Sequence, residues 1–491
     1  DSTDINSGAS SLRLVSPVSS GSHRLRLLST GAAILDGNIS GTAELRFVGP
    51  VTFSNAATLT AASFDFGHSV SFGGVSNLSA GSVSFGGAVT AAGDFTVNGA
   101  TSVNGGGVNA GSHKQTYNGS VTVGGPAGTT TFTGVGITFG STLDGSNTSR
   151  VVVNDSGDTT YSGAIGSVTA PAHFETNTAG SSTFSGGLVR TSSPNSILIA
   201  DDAVVTTDTT FDTTNNTTLP AGANITFAKT LNGTAHNSQS VTLNAGTNGT
   251  VWVTGAIGNT MPLRTLTLSN SYGATFSSPV STGTSVVLSD TVAGQVVRFA
   301  DNLSTPTLTT TAHGYHLELL GSTTSITDTG AATTFLHTGN LVLGNAATDT
   351  LSFAGGLTAT APAAISVAGS LGTTNAAMSL GDNNTALTLT ANVTLNTTGG
   401  NLTLGGAVNG TTANTESLSL NAGTTGAVSV TGAVGQSTSL KTLTLSNSYG
   451  ATFSSPVSTG TSVVLSDTLA GQVVRFADNL STPTLTTTAH G

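Results

Sequence analysis

The sequence predicts an all-β chain folded as a parallel β-solenoid. Three observations favour this fold: a long stretch that occurs twice, short runs in which apolar and polar residues alternate, and glycine-rich turns between the runs. Residues 265–314 return as residues 442–491 with the single exchange of Val292 for Leu469. Self-similarity at so large and constant a displacement is typical of a tandem array.

Upstream of the duplicated stretch the two copies differ, and the differences follow a two-residue period. Val241 corresponds to the apolar Leu418, whereas the outward position Trp252 corresponds to Ser429. Alternation of constrained and free positions is the pattern of strands with one buried and one solvated face. The residues predicted to point into the core are Val241, Leu243, Val251, Val253, Leu266 and Leu268.

The turns come from residues that permit a positive φ or bind their own backbone, namely Gly, Asn, Asp, Ser and Thr. Glycine alone contributes 64 of the 491 residues, which disfavours helices. The similar runs that begin at Ser63 and Ser82 indicate the length of one coil. With ~20–24 residues per coil and ~4.8 Å between stacked strands, the chain would form roughly 20–25 coils in a rod on the order of 100–120 Å long.

Composition excludes several classes of function. Charged residues make up only 7% of the chain, and the net charge is −11. The few lysines and arginines form no basic stripe that could bind nucleic acid. Cysteine is absent, which removes disulfides and thiolate chemistry. No run of ~18 apolar residues predicts a membrane-spanning helix. Because the chain begins at Asp1 without a leader, we expect a processed product or a fragment.

Three successive runs carry a resemblance to a known group of proteins. They are Leu-Thr-Leu-Gly-Gly from Leu402, Leu-Ser-Leu-Asn-Ala-Gly from Leu418 and Val-Ser-Val-Thr-Gly from Val428. This pattern resembles the β-strand repeats of very large bacterial surface proteins related to filamentous haemagglutinins, and covers most of the chain after about Ser182. The resemblance implies a right-handed parallel β-helix displayed extracellularly, on the bacterial cell surface. The repeats alone do not specify a task.

Weaker internal matches divide the solenoid into N-terminal coils over 1–181, a first long repeat block over 182–350 and a second block over 351–491. The second block stops at the equivalent of Gly314, which predicts that it is incomplete. Because uncovered strand edges pair with other chains, we expect subunits to join end to end as a homopolymer. The residues predicted to contribute to intermolecular contacts are Leu12, Leu14, Leu25, Leu27, Trp252, Leu485 and Gly491.

No pattern of residues predicts a catalytic, cofactor or metal site, and we expect the protein not to be an enzyme. The histidines are scattered, and the sequence shows no local cluster of aspartate and arginine. Acidic pairs in turns could bind Ca²⁺, although their spacing matches no calcium loop. These pairs are Asp155 with Asp158, Asp201 with Asp202, and Asp208 with Asp212.

The sequence favours an extracellular structural protein that assembles into a surface filament, sheath or coat. The alternatives are the β-helical stalk of a bacterial adhesin, a surface that binds ice or polysaccharide, or a carbohydrate-cleaving enzyme. Partners are expected to be further copies of the chain, and surface glycans or the cell envelope. Trp252 is expected either to lie on the rod surface against neighbouring coils or to make a lateral contact with another subunit or a glycan.

Overall fold

The computed structural model describes residues 2–125, 128–192 and 196–488. Throughout these residues the regular structure consists of β-strands, which pair in parallel and stack into a β-solenoid of about 22 turns. The predicted fold class is therefore confirmed, and the number of turns falls within the predicted range. The chain divides into two compact units, residues 1–250 and residues 251–491.

The first unit contains the strands from β1 to β33. They are β1 (Ser2–Ile5), β2 (Leu12–Leu14), β3 (Val18–Gly21), β4 (Arg24–Leu27), β5 (Ala33–Leu35), β6 (Ile39–Gly41), β7 (Glu44–Phe47), β8 (Val51–Phe53), β9 (Ala57–Thr60), β10 (Ser63–Phe66), β11 (Val70–Phe72), β12 (Ser76–Ser79), β13 (Ser82–Phe85), β14 (Val89–Ala91), β15 (Phe95–Val97), β16 (Ala100–Val103), β17 (Gly107–Asn109), β18 (Gln115–Tyr117), β19 (Val121–Val123), β20 (Thr129–Gly134), β21 (Ile137–Phe139), β22 (Leu143–Asp144), β23 (Arg150–Asp155), β24 (Thr159–Tyr161), β25 (His173–Thr176), β26 (Ser181–Phe184), β27 (Leu188–Arg190), β28 (Ile197–Ile199), β29 (Asp202–Val205), β30 (Thr209–Asp212), β31 (Ile225–Phe227), β32 (Leu231–Gly233) and β33 (Val241–Asn244).

The second unit contains the remaining described strands. They are β34 (Val251–Val253), β35 (Leu263–Asn270), β36 (Ala274–Phe276), β37 (Val280–Leu288), β38 (Val296–Phe299), β39 (Leu303–Thr305), β40 (Thr307–Thr310), β41 (His316–Leu319), β42 (Thr323–Ile326), β43 (Thr333–Thr334), β44 (Leu341–Leu343), β45 (Thr350–Phe353), β46 (Leu357–Ala359), β47 (Ala364–Gly372), β48 (Met378–Leu380), β49 (Ala386–Asn396), β50 (Leu402–Leu404), β51 (Val408–Gly410), β52 (Leu418–Asn421), β53 (Val428–Val430), β54 (Leu440–Asn447), β55 (Ala451–Phe453), β56 (Val457–Leu465), β57 (Val474–Phe476), β58 (Leu480–Ser481) and β59 (Thr484–Thr487).

Most turns of the first unit contribute strands to three parallel sheets. One is the eight-stranded sheet β1-β4-β7-β10-β13-β16-β19-β22, and another is the eleven-stranded sheet from β3 to β32. The third begins with β2, β5 and β8. Ser63 pairs with Ser82 in the next turn, so the interval between these two runs is one solenoid turn, as the sequence predicts.

Apolar side chains that face inward stack on their counterparts in adjacent turns. The Phe66 ring lies between Phe47 and Phe85, with centroid distances of 4.9 and 5.4 Å and nearly parallel planes. The six residues predicted to face the core are all buried. This confirms the strand register inferred from the two-residue alternation.

The duplicated sequence folds in the same way twice within the second unit. Strands β35, β36 and β37 recur as β54, β55 and β56, at the displacement that relates the two copies in the sequence. Burial differs where the surroundings differ: Leu308 on β40 is 4% exposed, whereas its equivalent Leu485 on β59, in the last described turn, is 51% exposed. Identical strands therefore depend on the following turn for burial.

His337 is a polar residue inside the second unit. Its ring lies against Tyr315 and Phe335, at centroid distances of 5.2 and 5.9 Å, and is fully buried. Among the described atoms, neither ring nitrogen has a hydrogen-bond partner. Because burial removes the hydration that the charged form needs, it lowers the pKa of His337 to about 4.

We expect the second unit to lose stability as pH falls from about 6.5 to about 4. In the unfolded chain His337 has its ordinary pKa of 6.5, so between these values unfolding takes up a proton that the folded state does not hold. Above 6.5 both states are neutral and the full stability is present. The gap between the two pKa values corresponds to about 3 kcal/mol. Urea unfolding across this range, compared with His337→Phe, measures the effect, and an identical pH slope in the variant would contradict it.

Candidate functional site

The structure places the predicted contact residues in different environments. Leu12 and Leu14 on β2 are half-buried in the first full turn, and Leu485 is exposed. Leu25 and Leu27 point into the core, where β1 covers their strand on one side and β7 on the other. Gly491 lies outside the described residues. The predicted end-to-end contact remains a prediction.

Three aromatic side chains of the second unit are exposed. Trp252 on β34 is 51% exposed between two buried valines, so it points outward as the sequence predicts. Tyr272 and its repeat equivalent Tyr449 are 44% and 46% exposed. The duplicated stretch therefore presents the same aromatic side chain to solvent twice in one chain.

A column of threonines follows the outer face of the eleven-stranded sheet. Its members occupy paired positions on β15, β18, β21, β24 and β26, so each stacks directly on the next. All are half-buried. They are Thr96, Thr116, Thr138, Thr160 and Thr183. The column gives this face small hydroxyl and methyl groups at a repeat of ~4.8 Å.

The acidic turns use their carboxylates to hold the backbone. Asp155, which is 1% exposed, accepts hydrogen bonds from three backbone N–H groups and the Thr159 hydroxyl. Asp201 accepts hydrogen bonds from Thr176 and Ser182, and burial raises the pKa of its carboxyl. Among the described residues, no three His, Asp or Glu side chains lie close enough together to hold a metal ion.

Ionisable side chains gather in an open groove of about 540 Å³ on the first unit. On β25, Phe174 and Thr176 point inward, which leaves His173 and Glu175 on the outer face. Arg150, at the start of β23, pairs with His173 in the parallel register. The groove lining consists of Arg150, His173, Glu175, Ser196, Leu198, Ala221, Gly222, Ala223, Asn224 and Asn248.

Hydrogen bonds connect the polar groups in this groove. The Glu175 carboxylate lies 3.0 Å from His173 Nε2 and 3.5 Å from a terminal nitrogen of Arg150. His173 Nδ1 lies 3.4 Å from the hydroxyl of Ser196. A neutral imidazole satisfies both of its contacts when Nε2 carries the hydrogen. The His173 side chain is only 7% exposed, whereas Arg150 and Glu175 are 46% and 31% exposed.

The opposite wall of the groove is the loop over residues 213–224, which the Asp212 carboxylate organises. This carboxylate accepts hydrogen bonds from the backbone N–H groups of Thr214 and Asn216 and from the side chain of Arg190. Residues 215–217 all have positive φ values, between 49° and 66°. Consecutive non-glycine residues in this region cost conformational energy and persist only where surrounding contacts hold them. The loop is therefore held in one shape.

The second unit lacks this groove at the equivalent positions. These positions are found by following the parallel register back from β31 in the first unit and from its repeat equivalent β50 in the second unit. The residues Arg150, His173, Glu175, Ser196 and Leu198 correspond to Ala332, Gly356, Thr358, Ala377 and Ser379. The connection from β30 to β31 spans 213–224, whereas the connection from β49 to β50 spans only 397–401. The solenoid therefore forms without these ionisable side chains and without the longer loop.

Arg150 and Glu175 form a pair of opposite charge that a search for local clusters of aspartate and arginine does not reveal. These residues lie about one turn of the solenoid apart in the sequence, and so become neighbours only when the turns stack. Pairing charged residues at the interval of one turn would have found them.

None of the described residues forms a helix long and apolar enough to cross a membrane. Comparisons of the chain with protein-family models, curated proteins and solved structures give no match.

Proposed function

We propose that this chain is a non-enzymatic structural protein of the bacterial cell exterior, and that copies of it assemble into a filament, sheath or coat. The observation that carries the proposal is that similar turns repeat along the chain. Their inward-facing side chains make the same stacking contacts, and their outward-facing side chains form a repeated surface. Each turn is completed by the next one, as in other solenoid arrays. The resemblance to repeats of bacterial surface proteins supports the extracellular location.

The repeated surface supports assembly in two ways. The threonine column offers a regular face of small side chains, and such faces allow close packing between neighbouring molecules. The exposed Tyr272 and Tyr449 present one contact twice per chain, and linked contacts of this kind strengthen one another through effective concentration. Trp252 adds an exposed aromatic side chain of the type enriched in protein interfaces.

Stacking of turns between molecules is the contact we propose for elongation. The last described turn exposes Leu485, and any strand that pairs with β59 would cover it, as the following turn covers Leu308. Leu485→Lys places a charge where an added turn would bury it, which is costly for an unpaired charge. The wild-type subunits should lengthen into filaments, and the variant should remain dispersed.

Negative-stain electron microscopy and light scattering of the 491-residue protein, at increasing concentration, test this proposal. Val168→Lys is the matched control, because Val168 is 84% exposed and lies on the first unit. The control should assemble like the wild type. Dispersed wild-type molecules at every concentration, or equal assembly of Leu485→Lys and wild type, would favour the adhesin-stalk alternative.

A further inference from the structure

The groove on the first unit carries side chains that its fold does not need. A solenoid turn with alanine, glycine or threonine at the corresponding positions forms in the second unit of the same chain. Charged side chains are scarce here, at 7% of residues, yet Arg150, His173 and Glu175 meet in one depression. Such a cluster in a concave site is a candidate binding site.

The chemistry of the groove matches a neutral ligand with many hydroxyl groups. Arg150 and Glu175 have opposite charges and lie beside each other, so the groove selects neither a strong anion nor a strong cation. A guanidinium supplies only hydrogen-bond donors and a carboxylate only acceptors, while the Asn248 amide supplies both. The Asn224 amide adds donors, because its oxygen already accepts from Thr250. The Ser196 oxygen adds an acceptor, because its hydrogen points to His173 Nδ1. A sugar hydroxyl both donates and accepts, and therefore uses this mixture fully.

The groove also has apolar surface and a defined length. Leu198, Ala221 and Ala223 line it between the polar groups, and the C–H face of a sugar ring can cover such a surface. The lining runs from β23 through β25, β28 and the residues before β31 to Asn248, which precedes β34, and this is four intervals between stacked strands. At ~4.8 Å per interval this amounts to about 19 Å. The site therefore suits a short segment of an extended chain.

Both walls are fixed before any ligand arrives. On one wall, the buried His173 ring forms hydrogen bonds with Glu175 and Ser196, and so fixes the position of the Glu175 carboxylate. On the other wall, Asp212 forms hydrogen bonds that hold the strained loop. Preorganisation of this kind lowers the ordering cost of binding. We propose that this groove binds a neutral saccharide, with Arg150 and Glu175 as the principal hydrogen-bonding residues. The proposal is independent of assembly, which uses other surfaces.

The test uses the fluorescently labelled 491-residue protein on an array of immobilised neutral and uronic-acid-containing oligosaccharides. The neutral oligosaccharide that retains the most protein is then used in titration calorimetry, which measures its affinity. Arg150→Ala and Glu175→Gln should each weaken binding about tenfold or more, because each removes hydrogen bonds to a charged group. Both positions are partly exposed, and circular dichroism checks that each variant keeps the wild-type strand content.

Arg298→Ala is the matched control, because it removes the arginine of an exposed Arg298–Glu318 pair on the second unit. It should bind the saccharide as the wild type does. Three results would overturn the proposal: no retention on any neutral oligosaccharide, affinity unchanged in both groove variants, or tighter and salt-sensitive binding to the uronic-acid oligosaccharides. The last result would indicate an electrostatic site for acidic polymers.

Discussion

Asp155→Ala should lower the free energy of unfolding of the first unit by ~4 kcal/mol, because two buried and two partly buried hydrogen bonds depend on this side chain. Asp155 ends β23, and its carboxylate connects two successive turns. One oxygen accepts hydrogen bonds from the N–H groups of Gly136 and Gly157, at 2.7 and 2.9 Å. The other accepts from the Ile137 N–H at 2.7 Å and the Thr159 hydroxyl at 2.9 Å.

The expected cost is large because the variant leaves donors without acceptors inside the protein. Each buried polar group that loses its partner costs ~1–3 kcal/mol, and all four donors depend on this one carboxylate. Asp155→Asn keeps one acceptor oxygen but turns an NH₂ group toward two of the donors, so its cost should be intermediate. Urea unfolding followed by far-ultraviolet circular dichroism measures the free energy of unfolding of both variants. If this free energy depends on urea concentration as it does in the wild type, the surface exposed on unfolding is unchanged.

Asp158→Ala provides the comparison within the same turn. Asp158 is exposed and accepts hydrogen bonds from the N–H and hydroxyl of Ser181, at 3.1 and 2.8 Å. Water can replace both contacts, so this variant should cost ~1 kcal/mol or less. Equal losses for the two alanine variants would mean that the buried carboxylate does not connect the turns.

Most of the fold could be predicted because its main determinant is local. Alternation within each strand fixes which residues point inward, and the duplicated stretch shows that one turn follows another. Val241 and Leu243 are buried as predicted for this reason. The role of Asp155 could not be predicted in the same way. The local sequence around an exposed aspartate in a tight turn is the same as that around a buried aspartate whose carboxylate connects two turns of the solenoid.

The groove could be predicted only in part. His173, Glu175 and Ser196 are ordinary residues in their own segments, and the stacking of turns brings them together. The sequence does contain the longer connection between β30 and β31, which becomes visible when the two repeat blocks are aligned. It does not show that Asp212 folds this insertion over the outer face. That arrangement depends on hydrogen bonds between segments.

Phe66→Ala should lower the free energy of unfolding of the first unit by about 3–5 kcal/mol, the range for a buried aromatic residue replaced by alanine. Phe66 is 1% exposed. Its ring stacks on Phe47 and Phe85 and meets the edge of Phe72, at a centroid distance of 6.4 Å. The variant removes one member of a continuous stack, and the rings above and below are held by their own strands, so the cavity cannot readily close.

Phe476→Ala tests whether the loss of stability depends on the burial of the stacked ring as well as on its stacking. Phe476 stacks on Phe453 at 4.8 Å, but it lies in the last described turns and is only half-buried. Its removal should cost ~1–2 kcal/mol, in proportion to the smaller apolar area taken from water. Phe66→Leu, which keeps most of the volume, should cost less than Phe66→Ala. If Phe66→Ala were no more destabilising than Phe476→Ala, stacking through successive turns would not be what stabilises the interior, and the strand hydrogen bonds would have to supply that stability instead.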